Sequence, residues 1–362
     1  ECHQQGIAVL LDVVYNHMGP EGNYLSSFGP YFTDKYHTPW GQAINFDDEY
    51  SDEVRHFFIQ NALMWLEEFH FDGLRLDAVH EIIDCGAKHF LQELSEAVDE
   101  LEKRTGRTYV LIAESDLNDS RIVLPYEKGG YNLEAQWVDD FHHSLHTYLT
   151  GENSGYYSDF GKLEYVKKAL QQGFVYDGTY SEFRKRSVGN SPDSCYPFNF
   201  LIFLQNHDQV GNRPLGDRLG QLISFEAQKL AVGILLISPY VPMLFMGEEF
   251  GEKNPFLYFV SHTDDKLIKA VQEGRKKEFS YFFEEQQEEF PDPQAEETFE
   301  RSKLSWDFKK DPSQNLIFEY YKFLLQLRKN SSFSSFRNKT LKVEIMQKEL
   351  IKITGEGNGT KL

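Results

Sequence analysis

Six apolar runs, each closing on polar or charged residues, set the strongest constraint on how this chain can fold. They cover residues 6–17, 71–80, 109–114, 132–140, 200–208 and 241–249. A near-continuous apolar run with a polar terminus is how a parallel strand covered on both faces reads. Helical spacing fills much of the sequence between them. Val54, Phe58, Ala62, Trp65, Leu66 and Phe69 recur at that spacing, and further helices are expected over 86–103 and 225–237. Repetition of this unit predicts an α/β fold with a parallel sheet.

Two architectures build such a sheet. A doubly wound open sheet concentrates ligand groups at one switch point, whereas a barrel gathers them from many strand ends. Here nearly every strand end carries them, and no Gly-rich phosphate loop follows any strand, which favours the barrel. The expected fold is a TIM (β/α)₈ barrel, N-terminally truncated, with strands 3 to 8 present and the first two βα units preceding Glu1. It is expected over 1–330, ending on a helix marked by Ile317, Tyr321, Leu324 and Leu327. Alternating segments at 341–345 and 350–353 read as the start of a small C-terminal β-sandwich domain over 331–362. Residues 19–48 form a long loop over the carboxyl end of the first strand, and loops of this length tend to be functional. The acidic stretch within 261–306 reads as a solvated excursion without chemistry.

Charge narrows the choice of partner. The formal net charge of −20 would repel a polyanion, so nucleic acid is not expected, and a neutral substrate fits better. The most apolar piece, 230–245, is interrupted by Gly233, Ser238, Pro239 and Pro242, so no membrane partner is expected. Cys2, Cys85 and Cys195 form no CxxC pair and cannot all pair within the chain. That points to a reducing, cytoplasmic location.

The segment Gly73-Leu-Arg-Leu-Asp-Ala-Val-His80 carries the first candidate chemistry. Strand alternation puts Arg75 and Asp77 on one face, where the guanidinium would keep the carboxyl ionised. In isolation a structural salt bridge explains the octapeptide equally well. Other strand ends add Glu114 and Asp208, with His17, His80 and His207 beside them. Three carboxylates from three strands suit glycoside cleavage: one attacks the anomeric carbon, one protonates the leaving oxygen, and one holds sugar hydroxyls. A Mg²⁺ site is the alternative, but phosphate-handling sites usually add Lys or Arg clamps or a P-loop, and neither is evident. No metal and no cofactor is expected.

The segments DVVYNH (12–17), GLRLDAVH (73–80), AESD (113–116) and QNHDQ (205–209) resemble, in order, four signature regions of the α-amylase superfamily of glycoside hydrolases. The resemblance implies Asp77 as nucleophile, Glu114 as general acid/base and Asp208 as transition-state stabiliser, with His17, Arg75 and His207 orienting them and binding sugar. It implies retention, and hence carboxyls of Asp77 and Glu114 about 5 Å apart rather than about 9 Å. GPEGNYL (19–25), QWVDDFHHSLH (136–146), HDQVGNR (207–213) and PMLFMGEE (242–249) are similar to malto-oligosyltrehalose trehalohydrolases within that superfamily. This finer resemblance implies a maltooligosaccharide-type substrate, malto-oligosyltrehalose, cut at the α-1,4 bond next to its trehalose end. It adds His80, Asp139, Asp140, His142, Gln209 and Asn212 as candidate substrate contacts. A strand-end cap is the competing reading of Asp139, Asp140 and His142. Two other functions stay open: a branching or debranching enzyme of the same superfamily, and an inactive barrel serving as a binding subunit, which should have lost a carboxylate that this chain keeps.

Overall fold

The structure is a computed structural model that describes residues 1–279, 290–330, 341–347, 350–357 and 360–361. The acidic run 284–289 and the expected domain boundary at 331 lie outside the described residues. The chain divides into two units, the first Glu1–Asp140 with Gln171–Leu201 and the second Phe141–Leu170 with Ile202–Leu362.

All six expected runs contain a strand: β1 Leu10–Val13, β2 Gly73–Leu76, β3 Val110–Ala113, β4 Ala135–Trp137, β5 Phe200–Phe203 and β6 Val241–Met243. They form one sheet in chain order. Pairing is parallel from β1 to β5, with Leu76 opposite Ala113 and Trp137 opposite Leu201. Close packing at β2 depends on Gly73, where a Cβ would come within 2.3 Å of the Val110 carbonyl oxygen. β2 is buried throughout. β1 departs from the expected double cover, since Leu10 and Ile7 are exposed. It lies at an end of the sheet order, so among the described residues only β2 pairs with it.

Two long helices pack against each other in the first unit. α1 (Ser51–Glu67) opens with Asp52 and Glu53, whose charge suits a helix N-terminus, and buries Val54, Phe58, Ala62 and Leu66 at a spacing of four. α2 (Phe90–Thr105) is capped by His89, which accepts from Leu91 N–H, and ends at Gly106, whose φ of +68° closes the last turn. Phe58 and Phe90 meet Tyr15 and Phe46 edge-on or tilted, and each such buried ring contributes roughly 1.5–3 kcal/mol. Buried Arg55 ties the helices together by donating to Asp84 and Glu93, both at 2.6 Å.

The loop over 19–48 is more ordered than expected, because Phe32–Thr38 and Gly41–Ile44 pair as an antiparallel hairpin. In the second unit, the helices Phe225–Ile237 and Pro312–Asn330 agree with the expected positions. Ile317, Tyr321 and Leu324 face inward while Leu327 is exposed. Leu341–Gln347 and Leu350–Gly357 pair antiparallel, and Thr360–Lys361 adds a third short strand. Among the described residues no helix is long and apolar enough to cross a membrane.

Candidate active site

Parallel register brings two of the three expected carboxylates together. Leu76 and Ala113 are partners across β2 and β3, so Asp77 and Glu114 each follow one residue later at neighbouring strand ends. Backbone bonds continue past the strands and fix this step: Asp77 N–H donates to Val13 O at 3.0 Å and Glu114 N–H to Leu76 O at 2.9 Å. Asp12 and Arg75 are likewise register partners on β1 and β2.

Arg75 sits at the centre. Its Nη1 donates to Asp77 Oδ1 at 2.7 Å and to Asp12 Oδ1 at 2.8 Å, and its Nη2 lies 2.9 Å from Glu114 Oε2. The guanidinium carbon is 4.3 Å from the centre of the Trp137 ring, a cation–π contact beneath a largely buried charge. Burial pushes the Asp77 carboxyl up, but the Asn16 hydrogen bond and Arg75 outweigh it and hold Asp77 below the usual carboxylate range. Asn16 Nδ2 donates to Asp77 Oδ2 at 2.9 Å and to its backbone oxygen at 2.6 Å. The two carboxyls therefore lie side by side on one guanidinium, Asp77 at Nη1 and Glu114 at Nη2.

Glu114 Oε2 accepts from Ala78 N–H at 2.8 Å. Ala78 takes a left-handed conformation at φ +35° to aim that donor, which is local strain immediately after the nucleophile candidate. His17 stacks on half-exposed Trp40 at 4.1 Å and bonds Asn16 through Nδ1. Desolvation lowers its pKa against the pull of Asp77. His80 lies farther along, with Nε2 3.7 Å from Asp116, which Arg184 approaches at 3.0 Å.

The third carboxylate belongs to the second unit. Asp208 is in the first turn of the short helix His207–Gly211, half-exposed and 3.4 Å from His207 Nε2. Asn206 caps that helix by accepting from Asp208 N–H and Gln209 N–H. Gln209, expected at the substrate, accepts from Asn206 N–H at 3.1 Å and so completes the cap. Asn212 Oδ1 receives Arg275 Nη1 at 3.4 Å.

Two expected substrate contacts are corrected. Asp140 is 3% exposed and His142 is 2% exposed, so neither is open to a sugar. Both sit in the first turn of α3 (Asp139–Thr150) and are saturated by protein groups. Asp140 Oδ2 accepts from Asn118, Val175 N–H and Tyr176 N–H, and burial raises its pKa to about 6. His142 bonds Leu204 O and Tyr157. Asp139, beside them, is partly exposed.

Sequence reasoning missed Asn16, Asp12, Trp40 and Trp137 as parts of the site. Asn16 lies within the DVVYNH segment, where it could have been found, and Asp12 became visible only through its register opposite Arg75. Among the described residues no group of three or more His, Cys, Asp or Glu side chains is arranged to hold a metal ion.

No family model matches the chain. It is 50% identical over 344 residues to the malto-oligosyltrehalose trehalohydrolase of Saccharolobus solfataricus, covering 95% of this chain and 58% of that protein. The enzyme of the same name from Arthrobacter ramosus is 46% identical, covering 91% and 57%. A 1,4-alpha-glucan branching enzyme from Geobacillus stearothermophilus is 30% identical, covering 69% and 38%. The chain thus spans a little over half the length of the trehalohydrolases it matches. Among solved structures, one from Salmonella typhimurium described as an alpha amylase superposes with a TM-score of 0.90 at 39% identity, covering 99% of this chain and 61% of that one. A pullulanase from Anoxybacillus sp. LM18-11, complexed with maltotetraose, superposes at 0.60 with 18% identity and shares the fold.

Proposed function

Because the chain belongs to the malto-oligosyltrehalose trehalohydrolase family of the α-amylase superfamily, we propose that it carries the catalytic residues of a retaining glycoside hydrolase. The bond cut is the α-1,4-glucosidic linkage next to the trehalose end of malto-oligosyltrehalose, and the products are trehalose and a maltooligosaccharide. The observation that carries the reading is Arg75 holding Asp77 and Glu114 at once, with its two terminal nitrogens 2.7 and 2.9 Å from their oxygens.

Asp77, kept ionised by Asn16 and Arg75, attacks the anomeric carbon and forms a covalent glycosyl ester. Glu114 gives its proton to the departing trehalose oxygen, then takes one from the water that hydrolyses the ester. Asp208 would hold sugar hydroxyls as the charged transition state forms, and His17 and His207 are proposed sugar contacts. His80, Asp139 and Asn212 remain proposed contacts on the trehalose side, and Gln209 a proposed contact held by its capping bond. The architecture we assign is strands 3 to 8 of a (β/α)₈ barrel over 1–330 and the opening of a C-terminal β-sandwich over 331–362. A cytoplasmic location is supported by the three free thiols.

The test is to incubate the full protein with malto-oligosyltrehalose and identify the sugars, with Asp77→Asn as control. Trehalose release, lost by about a thousandfold or more in the variant, supports the reading. Changed branch content of a glucan without trehalose would instead support the branching enzyme, which the lower identity to that relative disfavours.

A further inference from the structure

We infer that Asp140 and His142 are positioning residues, supporting from one helical turn the segments that carry Glu114 and Asp208; the inference rests on the hydrolase reading above. Two positions apart on α3, their side chains diverge by about 200° around the axis. One helix start thus serves two segments.

In the first unit, Asp140 Oδ2 accepts three hydrogen bonds: from Asn118 Nδ2 at 2.7 Å, Val175 N–H at 2.6 Å and Tyr176 N–H at 2.9 Å. Asn118 is four residues beyond Glu114 and stands in a left-handed turn at φ +54°. Its amide also donates to Tyr176 O at 3.0 Å, and its backbone oxygen accepts from Asn190 N–H at 3.1 Å. The loop leaving Glu114 is therefore pinned through one buried carboxyl.

In the second unit, His142 Nδ1–H donates to Leu204 O at 2.6 Å while Nε2 accepts from Tyr157 O–H at 2.8 Å. Burial keeps the imidazole neutral, which this donor–acceptor pattern requires. Leu204 directly precedes Gln205, whose Oε1 accepts from Leu219 N–H at 2.9 Å, and Asn206, the cap of the Asp208 helix. At the far end, Arg213 makes two 2.9 Å bonds to Glu152, which also receives His146 Nε2–H at 2.7 Å. Asp208 is thus held between two fixed points, Leu204 and Arg213. A leucine would fill the His142 site with no polar group to desolvate. What the buried imidazole adds is a directed bond to one carbonyl, and that carbonyl lies four residues before Asp208.

The experiment compares His142→Leu with His142→Asn, whose Nδ2 can take the place of Nδ1, each alone and combined with Asp208→Asn. Thermal unfolding is recorded alongside, so that rates refer to folded protein. His142→Leu is expected to lower kcat about 10- to 100-fold with KM changed less than about twofold, because a misplaced group costs rate more than binding. His142→Asn is expected to recover to within about threefold of wild type, and His142→Leu to add nothing to Asp208→Asn. Asp140→Leu, with Asp140→Asn as its conservative partner, is expected to behave likewise against Glu114→Gln. Full multiplication of the losses, or a folded His142→Asn as slow as His142→Leu, overturns the positioning role. Asp77→Asn separates the two levels. If it keeps the wild-type rate the hydrolase reading itself fails, whereas an inactive Asp77→Asn with indifferent His142 variants sinks only this inference.

Discussion

Arg75 Nη1 lies 2.7 Å from Asp77 Oδ1, and the same guanidinium reaches Glu114 Oε2 through Nη2 at 2.9 Å. One buried cation therefore biases both carboxyls. It favours the charged form of Asp77, together with Asn16, against the desolvation that would protonate it.

Removing either support should shift the pH profile. Asp77 is depressed in the folded enzyme, so attack persists as pH falls until the carboxyl protonates. Arg75→Met and Asn16→Ala should each move the acidic limb of kcat/KM to higher pH, the arginine variant also losing about a hundredfold or more in rate. An unmoved limb in both variants would contradict the assignment of Asp77 as the group that must be ionised.

Gly73→Ala tests the sheet that delivers these groups. The added methyl would meet Val110 O at 2.3 Å, in a pairing where neither backbone can retreat without breaking the ladder. Overpacking of this kind costs about 1–3 kcal/mol. Denaturant unfolding should report that loss, and activity should fall with it because Arg75 and Asp77 are two and four residues away.

How much of this was legible in the sequence depended on the level of structure involved. Strand positions, four of the helices and the carboxylates at strand ends follow from local periodicity and polarity, which a single chain displays. The Asp12–Arg75 pairing does not, because it arises from the register between strands 63 residues apart. Asp140 and His142 were misplaced for a related reason: a polar residue after a strand reads as a ligand group, and only packing reveals that a helical turn points it inward. The hairpin at Phe32–Thr38 and Gly41–Ile44 lay hidden in a stretch rich in turn residues.

Glu152 gives an acid-side prediction. Hydrogen bonds from His146, then Arg213, hold its pKa at about 2 against burial. The depressed value means that the stability it contributes is complete above its unfolded pKa of about 4.3 and is lost as pH falls toward 2. Glu152→Gln should therefore melt a few degrees below wild type at pH 7, with the difference closing by about pH 2. A gap that stays constant across that range would show that charge plays no part in the contact.

Glu248 predicts the opposite slope. Its side chain is buried, and desolvation raises the pKa to about 7, although Tyr321 O–H at 2.7 Å, Gln205 and Phe245 N–H partly offset this. Between about pH 4.3 and pH 7 the unfolded chain has released this proton while the folded protein still holds it, so folding stability falls as pH rises. Glu248→Gln keeps a neutral side chain of the same shape at every pH and removes that contribution. Asp140, raised to about 6, adds a similar slope of its own in both proteins, so the informative quantity is the difference between wild type and variant. Measured by thermal unfolding at successive pH values, the variant should gain on wild type steadily from pH 5 to 7 and hold that gain above it. If the two curves run parallel, Glu248 is already ionised in the folded protein and its bond to Tyr321 is charge-assisted from the outset.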